Sequence, residues 1–233
     1  VQYYLPNEDL KMTRAFHAAA GYTWNFAPNF SLRTEVYYQY LFQVPVKIGD
    51  TTGTVSSLNF SSGFTNEPFN NDGTGVNYGL ELTLEKSFSR QYYLLLTSSL
   101  FESKYTMPGF SQRNTYFNSN YIFNFLGGKE FSVGKKKQNI ISLNIRGMLR
   151  GGYRTIPIDL DASKAAGEDV RDYSQAFETS DPDYFRIDFG ASFRKNNPKW
   201  SWIVSADLQN VTNRSNIWGE YYDAEREVIQ PIY

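Results

Sequence analysis

The chain has no cysteine and a single histidine, His17, among its 233 residues. Without cysteine there are no disulfides, thiolate metal sites or cysteine nucleophiles. A lone histidine cannot by itself furnish a metal site or a Ser-His-Asp set, since a catalytic centre needs several convergent groups. No stretch approaches the ~18 consecutive apolar residues of a membrane-spanning helix. The net charge of −1 leaves no electrostatic footprint for nucleic acid. Residues 1–10 carry no basic start followed by an apolar core, so no signal peptide is read there.

Aromatic side chains, in contrast, are abundant: 18 Tyr, 18 Phe and 4 Trp. Tyr and Trp pair an apolar ring with a polar edge and settle where hydrocarbon meets headgroups. The mean hydropathy of −0.49 is compatible with a membrane barrel, whose strands alternate lipid-facing and lumen-facing side chains.

Alternation with period 2 is the dominant pattern. In residues 12–26 the even positions read Met12, Arg14, Phe16, Ala18, Ala20, Tyr22, Trp24, Phe26, against Thr13, His17, Gly21, Thr23 and Asn25 among the odd. A turn at Ala27-Pro28-Asn29 leads to a second run, 32–42, and the two form a long hairpin. Further strands are predicted at 76–88, 92–105, 115–126, 139–152, 184–194 and 200–209, eight in all. The third sets Val76, Tyr78, Leu80, Leu82 and Leu84 against Asn77, Gly79, Glu81, Thr83 and Glu85. A wet lumen accepts those carboxylates, whereas an apolar core would exact several kcal/mol for them. The consecutive Tyr93, Leu94, Leu95 and Leu96 leave the facing of the fourth strand open.

Connections alternate in length, with short ones at 27–31, 89–91 and 196–199 and long ones at 43–75 and 153–183. Medium connections are read at 106–114 and 127–138, the latter holding Lys135, Lys136 and Lys137, a run that reads most simply as a solvated turn. Outer-membrane barrels place short turns in the periplasm and long loops outside, so the loops starting at Gln43, Thr106 and Tyr153 are assigned to the outside. The fold class is all-β, an antiparallel transmembrane β-barrel segment.

Specific words then add to the pattern: Asn77-Tyr78-Gly79-Leu80-Glu81-Leu82, Leu126-Gly127-Gly128-Lys129-Glu130-Phe131, Pro157-Ile158-Asp159-Leu160 through Glu168-Asp169-Val170-Arg171, Asp183-Tyr184-Phe185-Arg186-Ile187-Asp188, and Asp207-Leu208-Gln209-Asn210-Val211-Thr212-Asn213-Arg214. Together they resemble the last third of TonB-dependent receptors of the Bacteroidetes type, over nearly the whole chain, with Asn210-Val211-Thr212-Asn213 the most specific piece. The resemblance implies about eight strands of an about 22-stranded barrel, in the outer membrane of a Gram-negative bacterium. It implies import of a siderophore, glycan, peptide or similar nutrient. The implied partners are outer-membrane lipid and lipopolysaccharide, a plug domain, the TonB complex, a surface lipoprotein and the nutrient itself. Residues 1–233 then form the carboxy-terminal part of the barrel domain, with plug and last strand absent, because no alternating strand precedes Tyr233.

Candidate substrate contacts are Arg146, Arg150 and Arg154 in one register, and Asp159 and Asp161 in the acidic 153–183 loop. The arginines form either a basic ladder guiding an anionic ligand or ion pairs with Glu81, Glu85 or Asp188. The acidic loop reads as a solvated surface, a lid over the pore or a calcium site, although EF-hand spacing is not met. Gly151 and Gly152 read as a bend, and Asn210-Val211-Thr212 as a turn held by side chains. No catalytic residue, metal ligand or cofactor is expected, and the chain is not expected to be an enzyme. A competing reading is a closed barrel of ~8 strands serving as anchor or adhesin; outer-membrane barrel enzymes and a soluble carbohydrate-binding sandwich are the remaining alternatives.

Overall fold

The computed structural model describes residues 6–59 and 66–233; part of the expected 43–75 connection and of the amino-terminal segment lies outside them. The chain is all-β. Eight long strands run in sequence order as an antiparallel meander: β1 (Arg14–Ala27), β2 (Phe30–Lys47), β3 (Phe69–Ser89), β4 (Tyr92–Thr106), then, after the two-residue β5 (Arg113–Asn114) that pairs back onto β4, β6 (Tyr121–Val133), β7 (Asn139–Arg150), and, after β8 (Arg154–Thr155), α1 (Leu160–Ala166) and β9 (Thr179–Ser180), β10 (Tyr184–Asn196) and β11 (Ser201–Leu208). A hairpin of β12 (Gly219–Asp223) and β13 (Val228–Ile232) follows. Among the described residues the large sheet is open, with β1 and β11 at its edges, so these eight strands do not close into a small barrel.

One register runs through the middle of the sheet and sorts its side chains to two faces; it shifts only near strand ends, after Trp24, between Leu41 and Val46 and between Lys86 and Ser89. Leu32 opposes Leu84, which opposes Leu96, which opposes Phe125, then Gly147 and Ile187. One residue away, Arg33 leads to Thr83, Thr97, Asn124, Met148 and Arg186. The fourth strand thereby acquires a facing: Leu94, Leu96 and Leu100 lie on the apolar face, and Tyr93, Leu95 and Thr97 on the polar one.

Four sequence-based boundaries are corrected. β2 runs on to Lys47 and β3 begins at Phe69, so strand takes up both ends of the connection expected at 43–75. The strand expected at 115–126 begins at Tyr121 and continues to Val133. Residues 115–120 instead bend over the sheet end, where Asn120 takes a positive φ of 62° and the buried Asn118 side chain bonds to Glu102 and Asn114. Gly127 and Gly128 lie within that strand, not in a connector: the Tyr93 ring crosses Gly128 so closely that a Cβ there would sit 2.5 Å from it. The strand expected at 139–152 stops at Arg150. Lastly, β13 pairs with β12 just before Tyr233, where no strand was expected.

Short turns gather at one end of the sheet. Arg90 and Gln91 both adopt positive φ, 51° and 66°, the pairing a tight two-residue hairpin needs to follow strand twist. The described parts of the three expected outside loops gather at the other end and, with Tyr105 at the adjoining end of β4, carry the buried hydrophobic residues other than Tyr222 of β12, chiefly Val46, Tyr105, Met107, Ala176 and Phe177. Tyr105 is 1% exposed and its hydroxyl donates to the Gly53 carbonyl at 2.6 Å, tying two loops together. Tyr105→Phe is expected to cost about 1 kcal/mol, the net worth of one such bond, measured as a lower midpoint in denaturant unfolding.

Away from the loop end the eight long strands have no packed core. On the apolar face Trp24, Val36, Leu96, Phe123, Phe189, Val204 and Leu208 are all exposed, Leu208 at 63%. An apolar surface running across eight strands far exceeds the few hundred Å² that water-facing proteins leave bare.

Candidate functional site

The polar face is built by the alternate residues of the same strands. Its small positions let long side chains lie flat: Tyr37 covers Gly79, whose added Cβ would meet the ring oxygen at 2.8 Å, and Asp207 covers Gly190. Neighbours bond across strands, Asn77 to Gln39 at 2.8 Å and Tyr93 to Asn144 at 3.0 Å. Gln39, Asn77, Tyr93 and Asn144 all stay partly open, as a wetted wall requires. His17, exposed on the edge strand β1, shares this face opposite Gln39.

Arg146 points to this face, and its guanidinium pairs with Asp188 of the neighbouring β10. The same carboxylate accepts Arg186 Nε at 2.6 Å and the Asn210 backbone N–H at 2.9 Å. Asp188 is therefore a hub joining two strands to the segment after β11. Sequence alternation put Arg146, Arg186 and Asp188 on one face, but only the register makes Arg146 and Asp188 direct partners.

Of the two readings of Arg146, Arg150 and Arg154, pairing holds for Arg146 with Asp188 and the ladder is not formed. The register ends at Gly151 and Gly152, which pass so close to neighbouring backbone that a Cβ would lie 2.0 Å from the Ser119 carbonyl oxygen and 1.7 Å from that of Asp181. Arg154 lies beyond this break, in β8, and serves as a fastener. It donates to the carbonyls of Asn118 and Glu178, each at 3.0 Å, and to the Asn120 side chain.

Asp159 and Asp161 also separate from the arginines. Asp159 caps α1, accepting the Ala162 backbone N–H at 3.0 Å, and Gly167 ends the helix in the left-handed region at φ 74°. Asp161, in the first helical turn, is exposed and suited to the positive end of the short helix. A similar economy holds at Asp50. Burial opposes its ionisation, yet donors from Thr52, Thr54 and Val55 prevail and hold the carboxyl below the usual range.

Arg150 lines a cavity. Its guanidinium lies 3.7 Å from the Tyr153 ring centre and 5.8 Å from that of Tyr184. It borders a cavity of about 530 Å³ that is also lined by Asp181, Trp218 and Tyr233. Neither Arg150 nor the Asp181 carboxylate has a side-chain hydrogen bond or close ion pair among the described residues. The cavity thus presents a cation on an aromatic platform, an anion and indole and phenol rings. That set can hold a flat or apolar ligand carrying a polar end. Asp181 was read only as one of the acidic residues of the 153–183 loop, and Tyr153, Tyr184 and Trp218 were not singled out: Tyr184 meets Arg150 through the β7–β10 register, and Asp181 and Trp218 arrive by loop folding.

Burial raises the Asp181 carboxyl above the ordinary range, and Glu220 adds to this against the opposing pull of Arg171 and Arg150. Ionising Asp181 is therefore harder in the folded loop than in the unfolded chain. Its contribution favours folding below the ordinary aspartate range and is lost as pH rises through the raised value. Asp181→Asn is expected to remove that decline: the variant should gain thermal stability over the parent as pH rises above about 4, the ordinary aspartate value, measured as the difference in melting temperature at each pH.

Among the described residues no group of three His, Asp or Glu side chains is placed to hold a metal ion. Comparison with protein-family models, curated proteins and solved structures found no match to this chain.

Proposed function

We propose that this chain is part of the wall of an outer-membrane uptake receptor of the TonB-dependent kind, with its apolar face in lipid and its polar face lining the lumen. The observation that carries this reading is the continuous apolar face of the eight-stranded meander, opposed by a polar face bearing Glu81, Glu85, Arg146 and Asp188. A soluble protein of this composition would bury that face under a second layer. A barrel wall meets hydrocarbon there instead.

The arrangement of the ends fits the same reading. Tight turns suit the periplasmic rim, and loops with their own small core suit the outer rim, where rigid recognition surfaces are carried. In this account the cavity beside Arg150 and Asp181 contributes to contact with the incoming nutrient, and the chain performs no chemical step. The alternating lumen of Gly, Ser, Asn and Thr leaves room for a wide pore, consistent with membership of a barrel larger than eight strands.

The test is topological and energetic together. Because the chain has no cysteine, single cysteines at Asp161 and at Lys136 can be labelled in intact cells with an impermeant maleimide. Asp161 should react and Lys136 only after permeabilisation. Uptake supported by the protein should vanish in cells lacking TonB. Equal labelling of both sites, or uptake indifferent to TonB, would overturn the proposal.

A further inference from the structure

The run Lys135-Lys136-Lys137 is not an isolated feature of one turn. In the β6–β7 and β10–β11 hairpins it is joined by Lys129, Lys195 and Lys199, all exposed. The two turns are neighbours, because β7 pairs with β10 and the Asn196 side chain donates to the Gln138 carbonyl at 2.6 Å. Segments 129–143 and 191–203 contain one acidic residue, Glu130, and the register puts it on the polar face with Ser142. None of the six lysines has a carboxylate at ion-pair distance among the described residues. Acidic residues concentrate at the loop end instead, so the near-zero net charge conceals a polarised molecule.

The position of this charge matters as much as its sign. Lys129 and Lys195 lie on the apolar face itself, in register with Leu143 and Trp202. The Lys129 ammonium is 5.3 Å from the Phe131 ring centre, and the Trp202 ring packs edge-on to Phe193 at 5.7 Å. Trp200 is exposed beside them. Aromatic rings with lysines whose stems run along an apolar surface mark the depth at which hydrocarbon gives way to headgroups. Lysines surrounding that depth attract anionic lipid.

We infer that this rim is a binding surface for anionic phospholipid headgroups of the leaflet at the turn end, with the six lysines contacting phosphate. The inference rests on the reading of the apolar face as lipid-facing. Charge complementarity selects the occupant: six unpaired cations on an apolar edge call for an amphiphile with a negative head. The attraction should weaken with added salt, as screening requires for exposed charges.

Tryptophan fluorescence of the membrane-extracted protein, reconstituted in phosphatidylcholine bilayers, supplies the test. A minor fraction of the lipid is replaced by brominated phosphatidylglycerol in one arm and brominated phosphatidylcholine in the other. The anionic quencher should be preferred at low salt by roughly fivefold, the factor expected for one lysine near a charged surface. The preference should disappear in the variant with all six lysines changed to Gln and survive in the corresponding variant with all six changed to Arg. Equal quenching by both lipids would overturn the inference and leave the lipid-facing reading intact. A preference that persists in the Gln variant would overturn the assignment to these lysines. Absence of quenching by either lipid would overturn both.

Discussion

Leu96→Arg is expected to cost the folded protein about 2–4 kcal/mol in a bilayer, the penalty for a cation at mid-depth on the lipid face of a barrel. Ser99→Arg, three residues along the same strand, is expected to cost within about 0.5 kcal/mol, as for surface substitutions generally. The two positions share a backbone conformation and differ in facing. Leu96 opposes Leu84 and Phe125, whereas Ser99 opposes Glu81 and Ile122. Arginine at 99 would even acquire a carboxylate neighbour. Urea unfolding in phosphatidylcholine liposomes measures both. If Leu96→Arg were as mild as Ser99→Arg, Leu96 would be facing water.

Gly152→Ala is the second large effect, expected at about 3 kcal/mol, the upper part of the range for forcing atoms into a packed site. Its added Cβ would lie 1.7 Å from the Asp181 carbonyl oxygen and 2.5 Å from the carbonyl carbon. Backbone on both sides must then move, and Asp181 N–H is itself bonded to the Tyr153 carbonyl at 2.9 Å. The damage should be local. Protease nicking and amide exchange should rise within 153–183, while the strands of the wall keep their protection. Gly147→Ala is the matched control, since the nearest atoms to its Cβ are at 3.9 Å and 4.0 Å. That change should be neutral, or slightly stabilising through reduced freedom of the unfolded chain.

Much of the wall was legible because a half-wetted strand writes its two faces directly into the sequence. The runs beginning at Met12, Leu32, Val76 and Asn139 each carry that signal, and each falls within or largely within a strand. Alternation misled where other forces produced it. Phe117, Tyr121, Phe123 and Phe125 alternate with Asn118, Asn120 and Asn124, yet the first part is a bend held by Asn side chains. The glycine pair at 127–128 imitates a turn, but the glycines make room for neighbours: the Tyr93 ring across Gly128 and Phe125 beside Gly127.

The candidate site was less legible, for a different reason. Arg150 was singled out, but its meaning depends on Tyr153, Tyr184 and Trp218, which approach it from separate segments. Arg154 shared its spacing and lost its register at two glycines whose role is close approach, a property invisible without the opposing backbone. Asp159 and Gly167 do carry a local signal, an N-cap and a left-handed C-cap around a seven-residue helix. A reading tuned to period 2 passes over such a signal.

Spin-label accessibility along β4 tests the central claim most directly, because the chain lacks cysteine and single nitroxides can be placed at successive positions. In reconstituted bilayers, labels at Leu94, Leu96, Ser98 and Leu100 should collide mainly with dissolved oxygen, which concentrates in hydrocarbon. Labels at Tyr93, Leu95, Thr97 and Ser99 should collide mainly with a water-soluble nickel chelate, giving a period of two residues along the strand. Nickel access at every position, or oxygen and nickel profiles without that period, would contradict the account of a wall with one face in lipid.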